Sequence, residues 1–127
     1  MAEAWLRHPA GYVRELRAVV PALEDDETPL KVFPVFLGRR LGPAGLLFMT
    51  DRGLIWVKRR SFRRKIVRIA YREIRDVRLV ETRRNSDLKI VTDDQVYNLW
   101  RGGLDRDRKH LRSVYTHLEE MRASQQL

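Results

Sequence analysis

The side chains of this chain that could carry chemistry are three histidines, a few clustered carboxylates and a dense run of arginines. His110 and His117 stand seven residues apart, which on a helix is roughly 10.5 Å of rise, too far for both to hold one metal ion. His8 lies near the N-terminus. There is no cysteine, so disulfides, thiolate metal sites and cysteine nucleophiles are excluded together. No Gly-x-Ser-x-Gly elbow presents an activated serine. Residues 38–45 hold three glycines but lack the Gly-Lys-Ser/Thr ending of a phosphate loop. The pairs Asp25/Asp26 and Glu119/Glu120 are sequence neighbours, and neighbours on a helix diverge, so neither reads as a general acid/base pair. Asp51, Asp93 and Asp94 fall in turn signals, where aspartate serves local hydrogen bonding. The expectation is a protein that is not an enzyme and uses no metal or cofactor.

Charge is the stronger signal. The formal net charge is +9, and residues 58–84 carry 12 Lys+Arg against 3 Asp+Glu, so that this stretch holds the whole excess. A concentrated basic field attracts polyanions, either nucleic acid or an anionic membrane surface. Arg72, Arg75, Arg78, Arg83 and Arg84 alternate in a way that could track a phosphate backbone. Trp56, Tyr71, Tyr97 and Trp100 are interleaved with them as candidate base-stacking platforms, although aromatics in strand patterns are more often core. No zinc-ligand spacing, RNP-type motif or helix-turn-helix accompanies them.

The elements that must position these residues follow from periodicity. Tyr12, Val13, Leu16, Val19, Val20 and Leu23 recur at three and four, predicting an amphipathic helix over residues 10–24 that Pro21 ends or bends. An acidic run, Glu24, Asp25, Asp26 and Glu27, reads as a solvated connector to Thr28-Pro29. From Leu30 onward the pattern becomes short strands broken by turn residues. Strands are predicted at 31–37, 46–50, 54–58, 65–70, 76–82, 88–92 and 96–100. Gly53 is expected at a positive φ in the turn Asp51-Arg52-Gly53, and residues 59–64 are expected as a basic loop. Asp105 is a predicted N-cap for a helix to about residue 123. Leu111, Val114, Leu118 and Met121 form its apolar stripe. Arg106, Arg108, Lys109 and Arg112 in its first half oppose the helix dipole, so the helix must gain its stability by docking.

At 127 residues the chain fits one domain, expected at 30–127, preceded by an N-terminal helix and acidic connector at 1–29. No apolar run reaches the roughly 18 residues of a membrane-spanning helix. No signal-peptide pattern opens the sequence, since Glu3, Arg7 and His8 interrupt it. A cytoplasmic location, peripheral at the inner face of the membrane in the lipid-binding reading, is the expectation.

Two segments carry a family likeness. Residues 45–57, running Gly-Leu-Leu-Phe-Met-Thr-Asp-Arg-Gly-Leu-Ile-Trp-Val, resemble the glycine–apolar–Thr-Asp/Asn-Arg–apolar hairpin of bacterial pleckstrin-homology-like and GRAM domains. Residues 69–77 resemble the Ile-Pro-Tyr-x-x-Ile-x-x-Val element of the same families, with Ala70 in place of proline. The resemblance spans about 30–123. It implies a mainly β fold, a seven-stranded antiparallel barrel or orthogonal sandwich capped by a C-terminal α-helix, with the N-terminal helix outside the shared region. It implies no catalytic residues.

In such a fold the loops after the first, third and sixth strands crowd at one open end. Arg39, Arg40, Lys58, Arg59, Arg60, Arg63, Arg64 and Lys65 would then form an anionic-ligand site, with Phe62 at the tip as a membrane-insertion residue. The function this implies is a non-catalytic module for an anionic membrane surface, phosphoinositide-like lipid or acidic protein partner. Nucleic-acid binding through residues 58–84 is an alternative. A homo-oligomeric assembly module, docking through Trp5, Leu6, Tyr12 and Leu16, is another.

Overall fold

The computed structural model describes Leu23 and residues 26–38, 45–60, 63–103 and 105–125, with backbone alone at 59, 60, 63, 64, 106, 107 and 125. The expected helix over 10–24 lies almost entirely outside the described residues, as do Trp5, Leu6, Tyr12, Leu16, Arg39, Arg40 and Phe62.

Seven strands follow in chain order: β1 (Pro29–Leu37), β2 (Gly45–Thr50), β3 (Gly53–Arg60), β4 (Arg63–Ala70), β5 (Ile74–Glu81), β6 (Asn85–Thr92) and β7 (Val96–Gly102). The helix α1 (Asp105–Gln125) closes the chain. All strand pairs are antiparallel, in the order β4-β3-β2-β1-β7-β6-β5. The ladder is therefore open, because β4 and β5 are its two ends and a single 3-10 turn, Tyr71–Glu73, joins them. β1 links the halves: Pro29 to Val35 pair with β2, while Phe36 and Leu37 pair with Trp100 and Leu99 of β7. The expected seven-stranded, mainly β architecture with a C-terminal helix is the one observed.

The inner faces and the helix share one core. Phe33, Val35, Leu47, Leu54, Trp56, Ile69, Leu88, Ile90 and Leu99 from the strands meet Leu111, Val114 and Leu118 from α1, all buried. The stripe predicted for the helix is thus its docked face, and a narrow stripe suffices because the sheet supplies the rest of the apolar surface.

Two local features differ from expectation. Gly53 does not adopt a positive φ; among the described glycines that conformation belongs to Gly38 (φ 73°) and Gly103 (φ 102°). Gly53 is required by space, since a Cβ there would stand 2.3 Å from the Ile69 carbonyl oxygen. The basic segment 59–64 is mostly not a loop. β3 and β4 stay paired through Arg59↔Arg64 and Arg60↔Arg63, leaving two residues to turn the chain. Ala70 sits at φ −72°, ψ 142°, the backbone a proline would impose, so the substitution leaves the Ile-x-Tyr corner intact.

Candidate functional site

Toward its turn the β3–β4 hairpin pairs Lys58↔Lys65, Arg59↔Arg64 and Arg60↔Arg63. Three successive rungs therefore set cation against cation. Directly opposed residues have Cβ atoms about 5 Å apart, and like charges there are destabilising. Lys58 is half-buried and Lys65 exposed. No acidic residue occurs in the sequence between Asp51 and Glu73.

The strand registers also show which turns share this end. Leu37 and Gly45, which flank the β1–β2 connection, lie toward the same end as Arg60 and Arg63, and so does the β6–β7 turn after Val91↔Val96. Asp93 in that turn is engaged by Arg75 through two bonds of 2.9 Å, from Nε and Nη2. This pairing holds the Asp93 carboxyl below its ordinary range and the Arg75 guanidinium above its own. Arg78 pairs with Asp76 in turn. The arginines expected to track a phosphate backbone are thus partly committed within the fold.

At the other end the chain entering β1 is pinned at Glu27, expected in a solvated connector, while Asp26 beside it is exposed. Glu27 is buried, 4% exposed. Its Oε2 accepts from Thr50 Oγ1 at 2.5 Å and its Oε1 from Arg68 Nη2 at 2.6 Å. Thr50 Oγ1 also accepts the N–H groups of Arg52 and Gly53 at 3.1 Å each, and of its two acceptors, Glu27 Oε2 at 2.5 Å and Gly53 O at 3.1 Å, the charged carboxylate is the nearer. Thr28 N–H donates to Asp51 Oδ1 at 2.8 Å, and Asp51 N–H returns to Thr28 O at 3.0 Å. Arg52 pairs with Asp26. The Thr-Asp-Arg-Gly turn thus serves as a clamp on the preceding segment.

Beside this clamp, Tyr71 is buried and donates its hydroxyl to Thr50 O at 2.5 Å. With that proton spent, His117 Nε2, 3.2 Å away, is the donor to the Tyr71 oxygen. Burial, with smaller contributions from the Asp51 and Glu27 charges, raises the phenol well above its ordinary value.

A cleft of about 540 Å³ opens here, bordered by Arg52, Arg68, Tyr71, Arg72, Glu73 and Met121 among others. Its lining carries three guanidiniums, Arg52, Arg68 and Arg72, with the carboxylates Asp51 and Glu73, and Arg52 and Arg68 are further paired with Asp26 and Glu27. That balance does not make an anion site. A second cleft of about 420 Å³ lies between Lys31, Met49 and the α1 residues Ser113, Thr116 and His117. Lys31 donates to Ser113 Oγ across it at 2.6 Å.

Arg108, read from the sequence as a misplaced charge on the helix, is 6% exposed and has a structural task. It donates to the carbonyls of Thr82 (2.9 Å), Arg83 (3.1 Å), Asn85 (3.2 Å) and Gly103 (3.2 Å), tying α1 to the β5–β6 turn. Arg112 joins Glu81 at 2.7 and 2.8 Å and also pairs with Asp105. Those pairings lower the carboxyl pKa values of both acids. The helix's unfavourable basic start is thereby compensated by neighbours distant in sequence.

Two of the candidate stacking aromatics are core residues: Trp56 and Tyr71 are each 4% exposed, and Trp56 Nε1–H donates to Val35 O at 3.0 Å. Tyr97 packs against the core, and Trp100 lies against Phe36 with ring centroids 5.3 Å apart. His110 stacks on Phe33 at 4.9 Å. Among the described residues no three His, Asp or Glu side chains group to hold a metal, and no helix is long and apolar enough to cross a membrane.

No protein-family model matches the chain, and no curated protein matches it in sequence. Solved structures do match in shape. A DUF1696 family protein with a pleckstrin-homology domain from Shewanella loihica PV-4 superposes with a TM-score of 0.58 at 15% identity, over 89% of this chain and 98% of that one. The fold is pleckstrin-homology-like. The hSac2 domain from the human phosphoinositide phosphatase Sac2 gives a TM-score of 0.58 at 10% identity, over 94% of this chain and 85% of that one. The C-terminal domain of an unknown protein from Leishmania infantum gives 0.54 at 15% identity, over 83% and 92% of the two chains. At these identities the likeness carries the pleckstrin-homology-like architecture and no residue of the site.

Proposed function

We propose that this pleckstrin-homology-like chain is a non-catalytic binding module that docks on an anionic membrane surface through its β3–β4 hairpin. The observation that carries the reading is the run of three opposed cationic rungs, 58↔65, 59↔64 and 60↔63, at the turn end of this hairpin. Such an arrangement costs folding stability, and a counter-charge arriving from outside offsets that cost. Lys and Arg side chains near an anionic leaflet contribute about 1 kcal/mol each. Engaging four of the eight site cations supplies about 4 kcal/mol, close to a thousandfold in affinity. Phe62, between Arg60 and Arg63 in sequence, supplies the apolar residue for the bilayer edge. The bacterial pleckstrin-homology-like kinship read from residues 45–57 and 69–77 belongs to the same proposal. One structural neighbour comes from a phosphoinositide phosphatase, which adds to the lipid reading by analogy of fold.

Nucleic acid and an acidic protein are the competing polyanions. The first keeps its charge but loses stacking surface, with Trp56 and Tyr71 in the core. The test is co-sedimentation of the whole chain with vesicles of neutral and of anionic composition at near-physiological salt. Binding to anionic vesicles alone is expected. Changing Arg59, Arg60, Arg63 and Arg64 to Glu should lower it by about a hundredfold or more. Equal binding to neutral vesicles, or none to anionic ones, refutes the proposal, and retention on oligonucleotides with a steep inverse salt dependence would replace it.

A further inference from the structure

The face of the β1–β4 half that points away from the main core is itself apolar. Cross-strand partners share a side of a sheet. The registers Val32↔Phe48, Phe48↔Ile55, Leu46↔Val57 and Val57↔Ile66 therefore run as one surface across four strands. Leu46, Phe48, Ile55 and Val57 on it are each 0% exposed and form a cluster separate from the main core. An antiparallel sheet with one wet face alternates buried and exposed residues; β2 is buried at all six positions. Among the described residues, those packed against the cluster are Leu23, Val32 and Ile66. Val32 and Ile66 belong to the sheet. Leu23 is the contribution from outside it.

We infer that this outer face is the docking site of the chain's own residues 10–23, laid across it as a third layer. Leu23 is the last member of the stripe Tyr12, Val13, Leu16, Val19, Val20 and Leu23, so the residue already seated on the face belongs to the segment's apolar side. The chain that follows is clamped to the end of the same face. Glu27 is bonded to Thr50 and Arg68, and Arg68 is the cross-strand partner of Ile55. Dimensions agree as well: a fourteen-residue helix is about 21 Å long, and a six-residue strand such as β2 about 20 Å. The occupant is apolar and its site lies on the sheet, so the inference stands apart from the charge of the hairpin.

The chain lacks cysteine, so one introduced thiol is unique. Arg14→Cys, off the apolar stripe, carries a nitroxide without touching the proposed contact. In isotope-labelled full-length protein the amide signals of Phe48, Ile55 and Val57 should lose most of their intensity. That of Arg84 in the β5–β6 turn should keep it. An equal mixture of labelled, untagged chain with unlabelled, tagged chain should show no loss at all. Full intensity at residues 48, 55 and 57 in the tagged chain overturns the inference. So does attenuation in the mixture, which would seat a second copy on the face.

Discussion

Replacing Glu27 by Gln tests whether the acidic segment before β1 is built into the barrel. The carboxylate is 4% exposed and receives Thr50 Oγ1 at 2.5 Å and Arg68 Nη2 at 2.6 Å. The amide keeps one acceptor oxygen and sets an NH₂ where the other stood, so one of the two contacts becomes donor against donor. A hydrogen bond to a charged group contributes about 1.5–3 kcal/mol net, and an unsatisfied buried partner adds to the loss. Arg68 is 31% exposed, and water reaching its guanidinium limits the damage. The expected cost is about 2–3 kcal/mol. Unfolding entropy of about 2.1 cal/mol/K per residue over 127 residues converts this into a fall in Tm of about 9 °C. Urea denaturation at neutral pH should show a lower midpoint with unchanged slope. Arg68→Met combined with Glu27→Gln should cost less than the sum of the two, with a coupling of about 1–2 kcal/mol. Asp26→Asn is the control: its pair with Arg52 is exposed, side chains at 78% and 36%, and should be worth under about 1 kcal/mol. A Tm for Glu27→Gln within about 2 °C of the parent would refute the reasoning and return the connector to solvent.

Arg108→Met keeps the aliphatic bulk but leaves four carbonyls of the β5–β6 turn and the strand end without their donor, at a cost of about 3 kcal/mol; thermal unfolding read by circular dichroism measures it. Glu81 provides a pH test. Its carboxyl is held below the ordinary value of 4.5 by the hydrogen bond from Arg112, so the stability it contributes is present above that value and is lost as pH falls through the lower folded-state value. Urea midpoints followed from neutral to acidic pH should therefore decline below about pH 4.5, and Glu81→Gln should flatten part of that decline.

What the sequence made legible was whatever periodicity encodes. The alternation of apolar residues located all seven strands, and the stripe Leu111, Val114, Leu118 and Met121 named the docked side of α1. What it hid were pairings between residues distant in the chain. Glu27 sat in a run of four acids, and nothing local separates the carboxylate that meets Thr50 and Arg68 from its neighbours. Arg108 looked like a charge misplaced against the helix dipole until the carbonyls of the β5–β6 turn, more than 20 residues away, came round to meet it. Gly53 carries a related lesson. Its turn context suggested an unusual φ, whereas the constraint is the Ile69 carbonyl on the next strand, a distance that exists only after folding. At 59–64 the error was of register, because a basic run carries no strand period even when the backbone pairs through it.

The distribution of acids explains why the charge of this chain ends up in one place. Ion pairs engage Arg52, Arg68, Arg75, Arg78, Arg108, Arg112 and Arg122, each against a carboxylate of the connector, of β5, of the β6–β7 turn or of the helix. Those arginines link elements: connector to β4, β5 to the β6–β7 turn, and α1 to β5. The sequence from 52 to 72, which contains the β3–β4 hairpin, supplies no acid of its own. Arg68 draws on Glu27 from the connector, while the opposed rungs at 58–65 lie at the turn end of the hairpin. Excess charge concentrated at the end of a hairpin lies beyond Val57, the last described buried residue of β3, in the sequence. Its role is thus separable from stability: charge reversal at 59, 60, 63 and 64 should abolish anion binding while leaving Tm unchanged or raised. A substitution at Glu27 should do the opposite.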